Sequence, residues 1–430
     1  MKRIIILGGG FAGLWAAFSA VRLTKLEGAE KTVSIMLINK NEYHGIRPRY
    51  YESDLVPTRL LLKKYLDPLN VELIIGTVNQ IDHQKQRIFL ENNQSYCYDK
   101  LIIALGSQLD RPNIPGLRDY GFHVDTYEAA KKLQEHIQAL PQQESLGRYT
   151  IVVVGGSFTG AEVATDLMDR LKKLTDQEAR VIVMDQGQIA HRFSQEMRTV
   201  ILRAFKEMNV EVLPCTQLKR VTSNAIELDS GQFIETQTLV WTAGIKANPL
   251  VEKFQLPLDH FQRLPVDRFL HIQNIKNCFA AGDVAAATTD EVHASLLSCQ
   301  HAMPQGRIAG NNAVAELLGK ELIMYEQPKY VTCLDLGSWG ALYTEGWDQR
   351  VIATKNEAKK IKLFINHQRI YPPSPEEGIE KLMDAAEPVF KVVNVDESNC
   401  KIKEAAYPIH PRPQIFPMKV KGLSCNKLSD

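Results

Sequence analysis

Residues 3–13 read Arg-Ile-Ile-Ile-Leu-Gly-Gly-Gly-Phe-Ala-Gly, an apolar run that leads directly into a glycine-rich loop. The run at 3–7 predicts a short buried strand, residues 14–26 predict a helix, and residues 33–38 predict the next strand. A G-x-G-x-x-G loop between a strand and a helix is typical of dinucleotide binding. The context on both sides of the loop therefore predicts a nucleotide site at the start of the chain.

The three glycines of this first loop have separate predicted tasks. Gly8 allows the tight turn, Gly10 lets the backbone approach a pyrophosphate, and Gly13 lets the helix pack closely on the strand. The N-terminus of the helix, next to Phe11 and Ala12, is expected to face the phosphates.

The second strand of this unit ends at Asn39, followed by Lys40, where an acidic residue commonly binds a ribose. An asparagine still offers a hydrogen bond to a diol, but without the charge. We therefore expect a nucleotide here, although this position says little about which one.

A second unit of the same kind follows later in the chain. A strand is predicted at 150–154, the loop Gly155-Gly156-Ser157-Phe158-Thr159-Gly160 comes next, and a helix is predicted at 161–174. The strand at 181–184 leads into Asp185, the acid expected on an adenosine ribose. A carboxylate there favours NAD, because a 2′-phosphate would prefer a cation.

The composition of the 430 residues is ordinary, with 44% hydrophobic and 23% charged residues. This excludes a mostly disordered chain and a polytopic membrane protein. The 51 lysines and arginines nearly balance the 50 acidic residues, so the bulk charge predicts no nucleic acid partner. The seven cysteines form neither a CxxC pair nor a cluster with histidine, which predicts reduced thiols in the cytoplasm and no metal site.

Three more apolar strands are predicted to deliver small residues to the ligand side of an open α/β sheet. They are 101–107 with Ala104 and Gly106, 239–245 with Gly244, and 277–285 with Gly282 and Asp283. Two nucleotide-binding motifs in one chain indicate a particular class of protein far more specifically than one motif does. They indicate two nucleotides in contact, one held permanently and one exchanged.

In this order the motifs resemble the two-dinucleotide-binding flavoproteins of the pyridine nucleotide-disulfide reductase superfamily. The resemblance implies an α/β fold with two Rossmann-like domains and a smaller α+β C-terminal domain. It implies FAD on a domain at 1–112 and 248–320, NADH as the exchanged substrate on a domain at 113–247, and the C-terminal domain at 321–430. Residues 39–66 and 151–170 contain no cysteine, so the cysteine-pair relay of the disulfide reductases is not expected.

The resemblance also implies a set of nucleotide contacts. By resemblance, Asp283 binds the ribityl–phosphate region of the flavin, and Val78 lies beside the adenine. The expected FAD-binding residues are Gly8, Gly10, Phe11, Ala12, Gly13, Asn39, Lys40, Arg47, Pro48, Val78, Ala104, Gly106, Gly282 and Asp283. The expected NAD-binding residues are Gly155, Ser157, Phe158, Thr159, Gly160, Glu162, Asp185 and Gly244.

Within the superfamily, the sequence looks most like the type II NADH dehydrogenases, which pass electrons from NADH to a quinone without pumping protons. The resemblance implies a catalytic role for Glu162 near the nicotinamide and the flavin. It also implies that Gln300 and Gln305 border the quinone and that Tyr43 and His44 line the flavin. It is carried by the segments 41–48, 160–162 and 300–306.

The last of these segments also departs from the family pattern. Cys299 stands where the family commonly has alanine, and Pro304 stands where it has a further glutamine. Pro304 predicts the first residue of a helix that runs to about Leu318. The lost glutamine leaves two alternatives open: a soluble NAD(P)H-dependent flavoprotein reductase with a non-quinone acceptor, and a nucleotide-binding signalling protein like the apoptosis-inducing factors.

The C-terminal part contains no basic amphipathic helix of the kind that anchors a protein to a membrane surface. The helix expected at 376–387 is acidic, and the lysines of 359–362 are expected on a solvated face. The expected partners are a quinone or another small electron acceptor, while weak peripheral membrane association and a homodimer stay open. The expected location is the cytoplasm or the inner face of the cell membrane.

Overall fold

The computed structural model describes residues 1–395 and 402–407, and only the backbone for 390–395 and 402–407. The expected C-terminal domain reaches residue 430, so its residues 396–401 and 408–430, including Cys400 and Cys425, lie outside the described residues. The cysteines in the described part are free thiols.

Two five-stranded parallel sheets form the centre of the described chain. The strands of the first sheet are, in spatial order, Cys278–Ala280, Lys100–Ile103, Lys2–Leu7, Val33–Asn39 and Glu72–Ile75. The strands of the second sheet are Gly121–Phe122, Thr238–Trp241, Thr150–Val154, Arg180–Met184 and Val210–Leu213. In both sheets the strand before the glycine loop is central and the strand order reverses beside it, which is where open α/β sheets bind ligands. The predicted α/β fold class is therefore confirmed.

Beyond their first residues the central strands are apolar, as expected for strands with both faces buried. Ile4, Ile5 and Ile6 are fully buried in the first sheet, and Val152 and Val153 are fully buried in the second. The register pairs Lys2–Leu7 with Val33–Ile38 on one side and Ile4–Leu7 with Lys100–Ile103 on the other. This register brings the ends of neighbouring strands to the same edge as the loop.

The helices cover these sheets and connect the strands. In chain order they are α1 (Phe11–Leu26), α2 (Leu62–Leu66), α3 (Leu117–Tyr120), α4 (Tyr127–Ala139), α5 (Phe158–Leu174), α6 (Gln195–Met208), α7 (Cys299–Leu317), α8 (Lys355–Phe364) and α9 (Ile379–Ala385). Helices α1 and α5 begin three residues before their predicted starts, because the last glycine of each loop already belongs to the helix. Glycine is a poor helix former, which hides these starts in the sequence.

The predicted start of α7 at Pro304 is wrong, because the helix begins at Cys299 and Pro304 lies inside it. Proline has no N–H, so the carbonyl of Gln300 loses its helical partner. The Nε2 group of Gln327 donates to that carbonyl at 3.3 Å instead. The helix therefore tolerates the proline because a neighbouring segment supplies the missing donor.

Helix α7 packs against α1 with their backbones in close contact. A Cβ atom at Gly306 would lie 2.2 Å from the carbonyl oxygen of Ala12, and one at Gly310 would lie 2.1 Å from that of Ala16. The two glycines are four residues apart and so face the same side of α7. This contact fixes the first turns of both helices beside the first glycine loop.

Smaller sheets complete the described chain, and they are antiparallel except for the parallel pair of Leu264–Pro265 with Ala285–Ala286. The three-stranded sheets are Val78–Asp82, Arg87–Leu90 and Ser95–Cys97; Leu218–Val221, Ala225–Leu228 and Phe233–Glu235; and Val331–Asp335, Ala341–Glu345 and Arg350–Thr354. The two-stranded pairs are Tyr43–Gly45 with Arg59–Leu61, Ser107–Leu109 with Ile245–Ala247, Leu264–Pro265 with Ala285–Ala286, and Phe390–Val395 with Ile402–Tyr407. The pair that contains Ser107 joins the chain as it leaves the first sheet to the chain as it returns from the second.

The C-terminal part docks on helices α5 and α6 of the second unit. Ser338 donates from its backbone and its hydroxyl to Asp169, at 2.5 and 2.6 Å. Trp339 donates from Nε1 to Glu207 at 2.7 Å. In the expected acidic helical region, only Ile379–Ala385 forms an α-helix. No helix in the described ranges is both long and apolar enough to cross a membrane.

Candidate functional site

The first glycine loop has the backbone that its sequence predicts. Gly8 adopts φ +103°, and a Cβ atom there would lie 2.3 Å from the carbonyl oxygen of Ala104. A Cβ atom at Gly13 would lie 1.8 Å from the carbonyl oxygen of Gly8. At Gly10, by contrast, a Cβ atom would have no neighbour within 4 Å. The outer glycines are thus required by the fold, and the middle one faces open space that a ligand can fill.

The first turn of α1 leaves its backbone N–H groups available. The N-cap residue Gly10 makes no side-chain capping bond, and no acidic residue occupies the first turn. The same holds for α5 behind Ser157. Helices α4 and α6, in contrast, are capped by the hydroxyls of Thr126 and Ser194. Uncapped helix N-termini behind glycine loops are anion-binding sites, so the residues present fit the pyrophosphate of a dinucleotide.

Asn39 and His44 brace the first loop from its protein side. The Oδ1 atom of Asn39 accepts from the Gly9 N–H at 2.9 Å. The Nδ1 atom of His44 lies 2.9 Å from the Gly9 carbonyl oxygen and must donate to it, which makes Nε2 the unprotonated nitrogen. Burial lowers the pKa of His44 to about 4, against the effect of its bond to Gly9, so the ring is neutral. The Nε2 atom is buried and has no hydrogen-bond partner within the described residues.

Asp283 belongs to a polar cluster where the two units meet. Its Oδ2 atom accepts from the Ser107 hydroxyl at 2.6 Å, and Nη1 of Arg47 lies 4.0 Å away. Nη1 of Arg47 also donates to the Ser107 hydroxyl at 2.8 Å, while Nη2 forms an ion pair with Asp125. Asp125 in turn accepts from the Leu109 N–H at 3.1 Å. Burial raises the pKa of Asp283, and the Ser107 hydroxyl opposes the shift.

The second loop repeats the geometry of the first. Gly155 has φ +111°, and a Cβ atom at Gly160 would lie 1.7 Å from the Gly155 carbonyl oxygen. Asp185 takes the place of Asn39, and its Oδ2 atom accepts from the Gly156 N–H at 2.8 Å. Its Oδ1 atom accepts from the Gly187 N–H, also at 2.8 Å.

Glu162 lies two residues beyond this loop and forms a buried ion pair. Its Oε1 atom accepts from the Lys362 ammonium at 2.7 Å and from the Asp335 N–H at 3.1 Å. Burial raises the pKa of Glu162, and the Lys362 ammonium opposes the shift. Burial alone would lower the pKa of Lys362, but the Glu162 carboxylate outweighs it, and the pKa is raised. The lysine is therefore charged and holds the carboxylate at the boundary between α5 and the C-terminal part.

The polar contacts around Glu162 continue through three parts of the chain. The Asp335 carboxylate accepts from the Lys359 ammonium at 2.6 Å and from the Tyr51 hydroxyl at 3.2 Å. The Asn366 amide donates to the same hydroxyl at 3.4 Å. One helical turn after Glu162, burial raises the pKa of Asp166 to about 7, although Arg170 lowers it. The junction is thus a connected set of buried titratable groups.

The prediction that the lysines of 359–362 lie on a solvated face is wrong in part. Lys362 is buried against Glu162, and Lys359 is held by Asp335. The apolar residues Ala358, Ile361 and Ile365 follow helical spacing, and residue 362 falls on the same face. That spacing is the sequence signal that could have identified Lys362.

Gln300 and Gln305 both use their side chains within the protein. The Gln300 amide donates to the Val331 carbonyl at 2.9 Å and accepts from the Val331 N–H at 3.2 Å. The fully buried Gln305 accepts from the Gly282 N–H at 2.7 Å. These bonds tie α7 to the C-terminal sheet and to the Gly282 turn. Contact between either amide and an acceptor remains a prediction.

Of the other predicted residues, Lys40 follows the strand Val33–Asn39, and Val78 begins the strand Val78–Asp82 of a separate sheet. Lys40 is exposed, and Pro48 and Val78 are half-buried. Gly106 and Gly244 have φ angles of +67° and +73° at the strand ends where they were expected. The ring of Phe158 packs edge-on against Phe193 at 4.8 Å. The residues that the sequence did not single out for this region are Tyr51, Ser107, Asp125, Asp335, Lys359 and Lys362.

Comparison with known proteins agrees with this geometry. The family model described as pyridine nucleotide-disulphide oxidoreductase matches residues 2–306. An NADH dehydrogenase-like protein of Mycobacterium tuberculosis is 40% identical over 380 residues, which are 87% of this chain and 95% of that protein. The demethylphylloquinone reductase NdbB of Synechocystis is 29% identical over 357 residues, which are 79% of this chain and 86% of that protein.

Among solved structures, NDH2 from Plasmodium falciparum in complex with NADH has the same fold. It matches with a TM-score of 0.72 at 14% identity, over 90% of this chain and 96% of that one. The family match, the 40% identical relative and the two nucleotide loops lead to one conclusion. The chain belongs to the pyridine nucleotide-disulphide oxidoreductase family and is an oxidoreductase related to the NADH dehydrogenase-like proteins.

Proposed function

We propose that this protein is an FAD-dependent NADH dehydrogenase that passes electrons to a quinone and pumps no protons. The observation that carries the proposal is the pair of glycine loops, each followed by an uncapped helix N-terminus. The relatives named as NADH dehydrogenase-like and as a demethylphylloquinone reductase support the choice of electron donor and acceptor. The domain boundaries given above, and a homodimer, stay predictions.

On this proposal, FAD occupies the first loop and NADH the second. The α1 N-terminus and the Gly10 backbone would hold the FAD pyrophosphate, with Asp283 near its ribityl chain. A bound flavin supplies the chemistry that accepts hydride from NADH and delivers electrons to the acceptor. The uncapped N-terminus of α7, which has no acid in its first turn, offers a positive dipole end to negative charge nearby.

Glu162 is the proposed catalytic residue, near the nicotinamide. The Lys362 ammonium and the Asp335 N–H fix one oxygen of its carboxylate, so its orientation does not depend on the ligand. A carboxylate fixed in this way positions a dinucleotide for hydride transfer, where small displacements are costly. Lys362 and Asp335 act through Glu162 and are positioning residues.

A soluble reductase with a non-quinone acceptor is the second candidate. It is favoured by the side chain of Gln300, because its amide both donates to and accepts from Val331 within the protein. In both cases we propose that the protein acts in the cytoplasm or at the inner face of the cell membrane.

The test is anaerobic reduction of the flavin-loaded enzyme by NADH, followed by a panel of acceptors: short-chain ubiquinone and menaquinone, a disulfide, and ferricyanide. The proposal expects rapid bleaching of the flavin and rapid reoxidation by a quinone. Rapid bleaching with reoxidation only by other acceptors would favour the second candidate. Bleaching that takes many minutes would contradict both and favour a signalling role.

A further inference from the structure

A two-stranded pair next to the first nucleotide loop carries an arginine, Arg59, that the proposed reaction does not use. The strands are Tyr43–Gly45 and Arg59–Leu61, which pair antiparallel. The pair is tied to the loop, because Nδ1 of His44 donates to the Gly9 carbonyl at 2.9 Å. The half-buried Arg59 therefore has a fixed position relative to the first loop.

The guanidinium of Arg59 lies between two aromatic rings from different units. Its Cζ atom is 3.7 Å from the ring centroid of Tyr43 and 4.2 Å from that of Tyr127. Tyr43 is expected to line the flavin, whereas Tyr127 is the first residue of α4 in the second unit. A planar guanidinium is attracted to aromatic faces, so the Arg59 clamp of Tyr43, Arg59 and Tyr127 joins the two units. The Glu128 carboxylate, 3.8 Å from Arg59 and 64% exposed, adds little to this contact.

Helix α4 is held in the second unit by the sheet that carries the second loop. The strand Gly121–Phe122 before the helix pairs with Leu239–Val240 of that sheet. Nε2 of His136 lies 2.8 Å from the Thr238 hydroxyl oxygen. The buried apolar residues of α4 share one core with Val153, which lies in the strand before the loop. A shift of α4 would therefore move the second loop with it.

Two further contacts hold the segment 43–59 against the second unit. Nη2 of Arg47 forms its ion pair with Asp125, two residues before α4. The Gln134 amide, within α4, donates to the Ser53 carbonyl at 2.6 Å. Polar interfaces between two units allow relative motion unless particular contacts oppose it. The Arg59 clamp is such a contact, because a guanidinium between two rings resists displacement of either ring.

We propose that the Arg59 clamp sets the spacing between the two nucleotides and that Arg59 and Tyr127 are positioning residues for hydride transfer. The inference rests on the proposed function and gives both residues a role through the two loops. In the transfer a hydride leaves NADH with its electron pair and reduces the flavin, which yields NAD⁺. The reacting atoms must be roughly 3–3.5 Å apart, so a small rotation of one unit slows the step. Each nucleotide should still bind in its own loop when the clamp is lost.

The kinetic test is stopped-flow reduction of the flavin-loaded enzyme by saturating NADH, without oxygen or quinone. Tyr127→Leu and Arg59→Met should each slow flavin reduction about tenfold, because the two units lose their alignment. The double variant should be about as slow as either single variant, because both changes remove the same contact. Tyr127→Phe keeps the ring, and Lys131→Met is the matched control on the exposed face of α4. Both should reduce at the rate of wild type, and a wild-type rate in Y127L and R59M would overturn the inference.

A spectroscopic test separates positioning from a merely structural role. The charge-transfer absorbance of the reduced enzyme with bound NAD⁺ requires the nicotinamide and flavin rings to stack in contact. Wild type, Y127F and K131M should show this band, whereas Y127L and R59M should lose about half of its intensity or more. A band of full intensity in Y127L and R59M, or no band in wild type, would overturn the inference.

A binding measurement completes the test, because the inference predicts altered rates at unaltered affinity. Titration calorimetry of the oxidised enzyme with NAD⁺ should give the same Kd for wild type, Y127L and R59M, and flavin content should also be equal. A loss of flavin, or a weaker Kd that accounts for the slow reduction, would show that the clamp is only structural and would overturn the inference. Failure of quinone reduction with the differences in rate and band intact would contradict the proposed function alone.

Discussion

The two glycine loops have nearly the same backbone but different surroundings. The first residue of each has φ near +105°, at +103° and +111°. In each, a Cβ atom on the last glycine would lie within 2 Å of the first glycine's carbonyl oxygen, at 1.8 and 1.7 Å. In each, the N–H of the second residue donates to a side chain at the end of the neighbouring strand, Asn39 or Asp185. Steric demand at the outer glycines thus sets the backbone of both loops.

The side chains of the two loops and their surroundings differ at matching positions, and three of these differences concern the chemistry. They are Gly10 and Ser157, Asn39 and Asp185, and Trp15 and Glu162. The first loop is braced at Gly9 by two neutral side chains, those of Asn39 and the buried His44. Beside the second loop lie the Asp185 carboxylate and the buried ion pair of Glu162 with Lys362. The comparison teaches that steric contacts at the glycines set one backbone for both loops, whereas the side chains around them give the two loops different chemical surroundings.

The largest effect is expected from substituting the middle residue of a glycine loop. Gly10→Val places a side chain in space that no protein atom fills, so we expect the fold to survive. Wedging that side chain between backbone and pyrophosphate should cost about 3 kcal/mol, about 100-fold in FAD affinity. Flavin absorbance and far-UV circular dichroism of the purified protein measure both effects. The matched variant Ser157→Val should keep its flavin and lose NADH affinity, and full flavin content in G10V would contradict the assignment of the first loop.

The next largest effect is expected at Glu162, whose matching position after the first loop is occupied by Trp15. We expect Glu162→Gln to retain flavin and to slow hydride transfer about 100-fold. A neutral amide cannot form the ion pair with Lys362 that holds the side chain of residue 162 in position. Lys362→Met should slow the reaction similarly and should lower the free energy of unfolding by about 3–5 kcal/mol, since it leaves a buried carboxylate without its partner. Stopped-flow flavin reduction and urea unfolding measure the two effects.

The double variant Glu162→Gln/Lys362→Met and a control at the exposed neighbour Lys360 sharpen this prediction. Removing both charges should recover much of the lost stability without recovering the rate, because the two residues act as a unit. Lys360→Met, on the exposed face of the same helix, should change neither quantity. Additive losses of rate in the double variant would show that Lys362 does not act through Glu162.

The third expected effect is a pH dependence of the free energy of unfolding, caused by His44 beneath the first loop. Burial lowers the pKa of His44 to about 4, whereas the unfolded chain has a pKa of about 6.5. As pH falls below about 6.5, the unfolded chain therefore binds a proton first, and the stability that the neutral ring contributes is lost toward pH 4. The advantage of wild type over His44→Gln should shrink by about 1.4 kcal/mol per pH unit in that window.

Urea unfolding of both proteins at pH 7, 6 and 5 measures this difference. The carboxyl of Asp166, whose pKa burial raises to about 7, titrates in the opposite sense. It is common to both proteins and cancels in the comparison. A difference between wild type and H44Q that does not change with pH would show that the ring is not held neutral.

The smallest effects are expected from exchanging the residues at the strand ends. Asp185→Asn should raise the KM for NADH about fivefold, because a neutral amide replaces a carboxylate that accepts charge-assisted hydrogen bonds worth about 1 kcal/mol more. Asn39→Asp should lower FAD affinity by about fivefold, since an aspartate still accepts from the Gly9 N–H but cannot donate to the Asn41 carbonyl as the Asn39 amide does at 2.8 Å. Steady-state kinetics and flavin titration measure them. Flavin loss in N39D as complete as that expected for G10V would contradict this ranking.

Most of the secondary structure of the nucleotide units could be predicted because each signal lies within a few neighbouring residues. The strand at 150–154 was predicted with the bounds it has, and the first strand differs from its prediction by one residue. The start of α7 was not predictable in this way. Proline at the first helical position is the common pattern, and the donor that rescues Pro304 inside the helix comes from Gln327, in another segment.

The buried partners of the site residues could also not be predicted from the sequence. The lysines of 359–362 look like a polar face by composition, yet Lys362 pairs with Glu162 across 200 residues of chain. Asp125 and Arg47 are 78 residues apart and meet where the two units join. A charged residue is predicted exposed by default, and only the burial of a partner reverses that prediction.

The sequence by itself determined that this protein has two dinucleotide units and the family that combines them. Each unit is a local pattern, and its glycines are demanded by steric contacts within the loop and its neighbouring strands. Only the tertiary structure decided that a C-terminal lysine fixes Glu162 and that His44 is neutral beneath the first loop. These facts depend on burial and on charges brought together from distant segments, and neither has a local pattern in the chain.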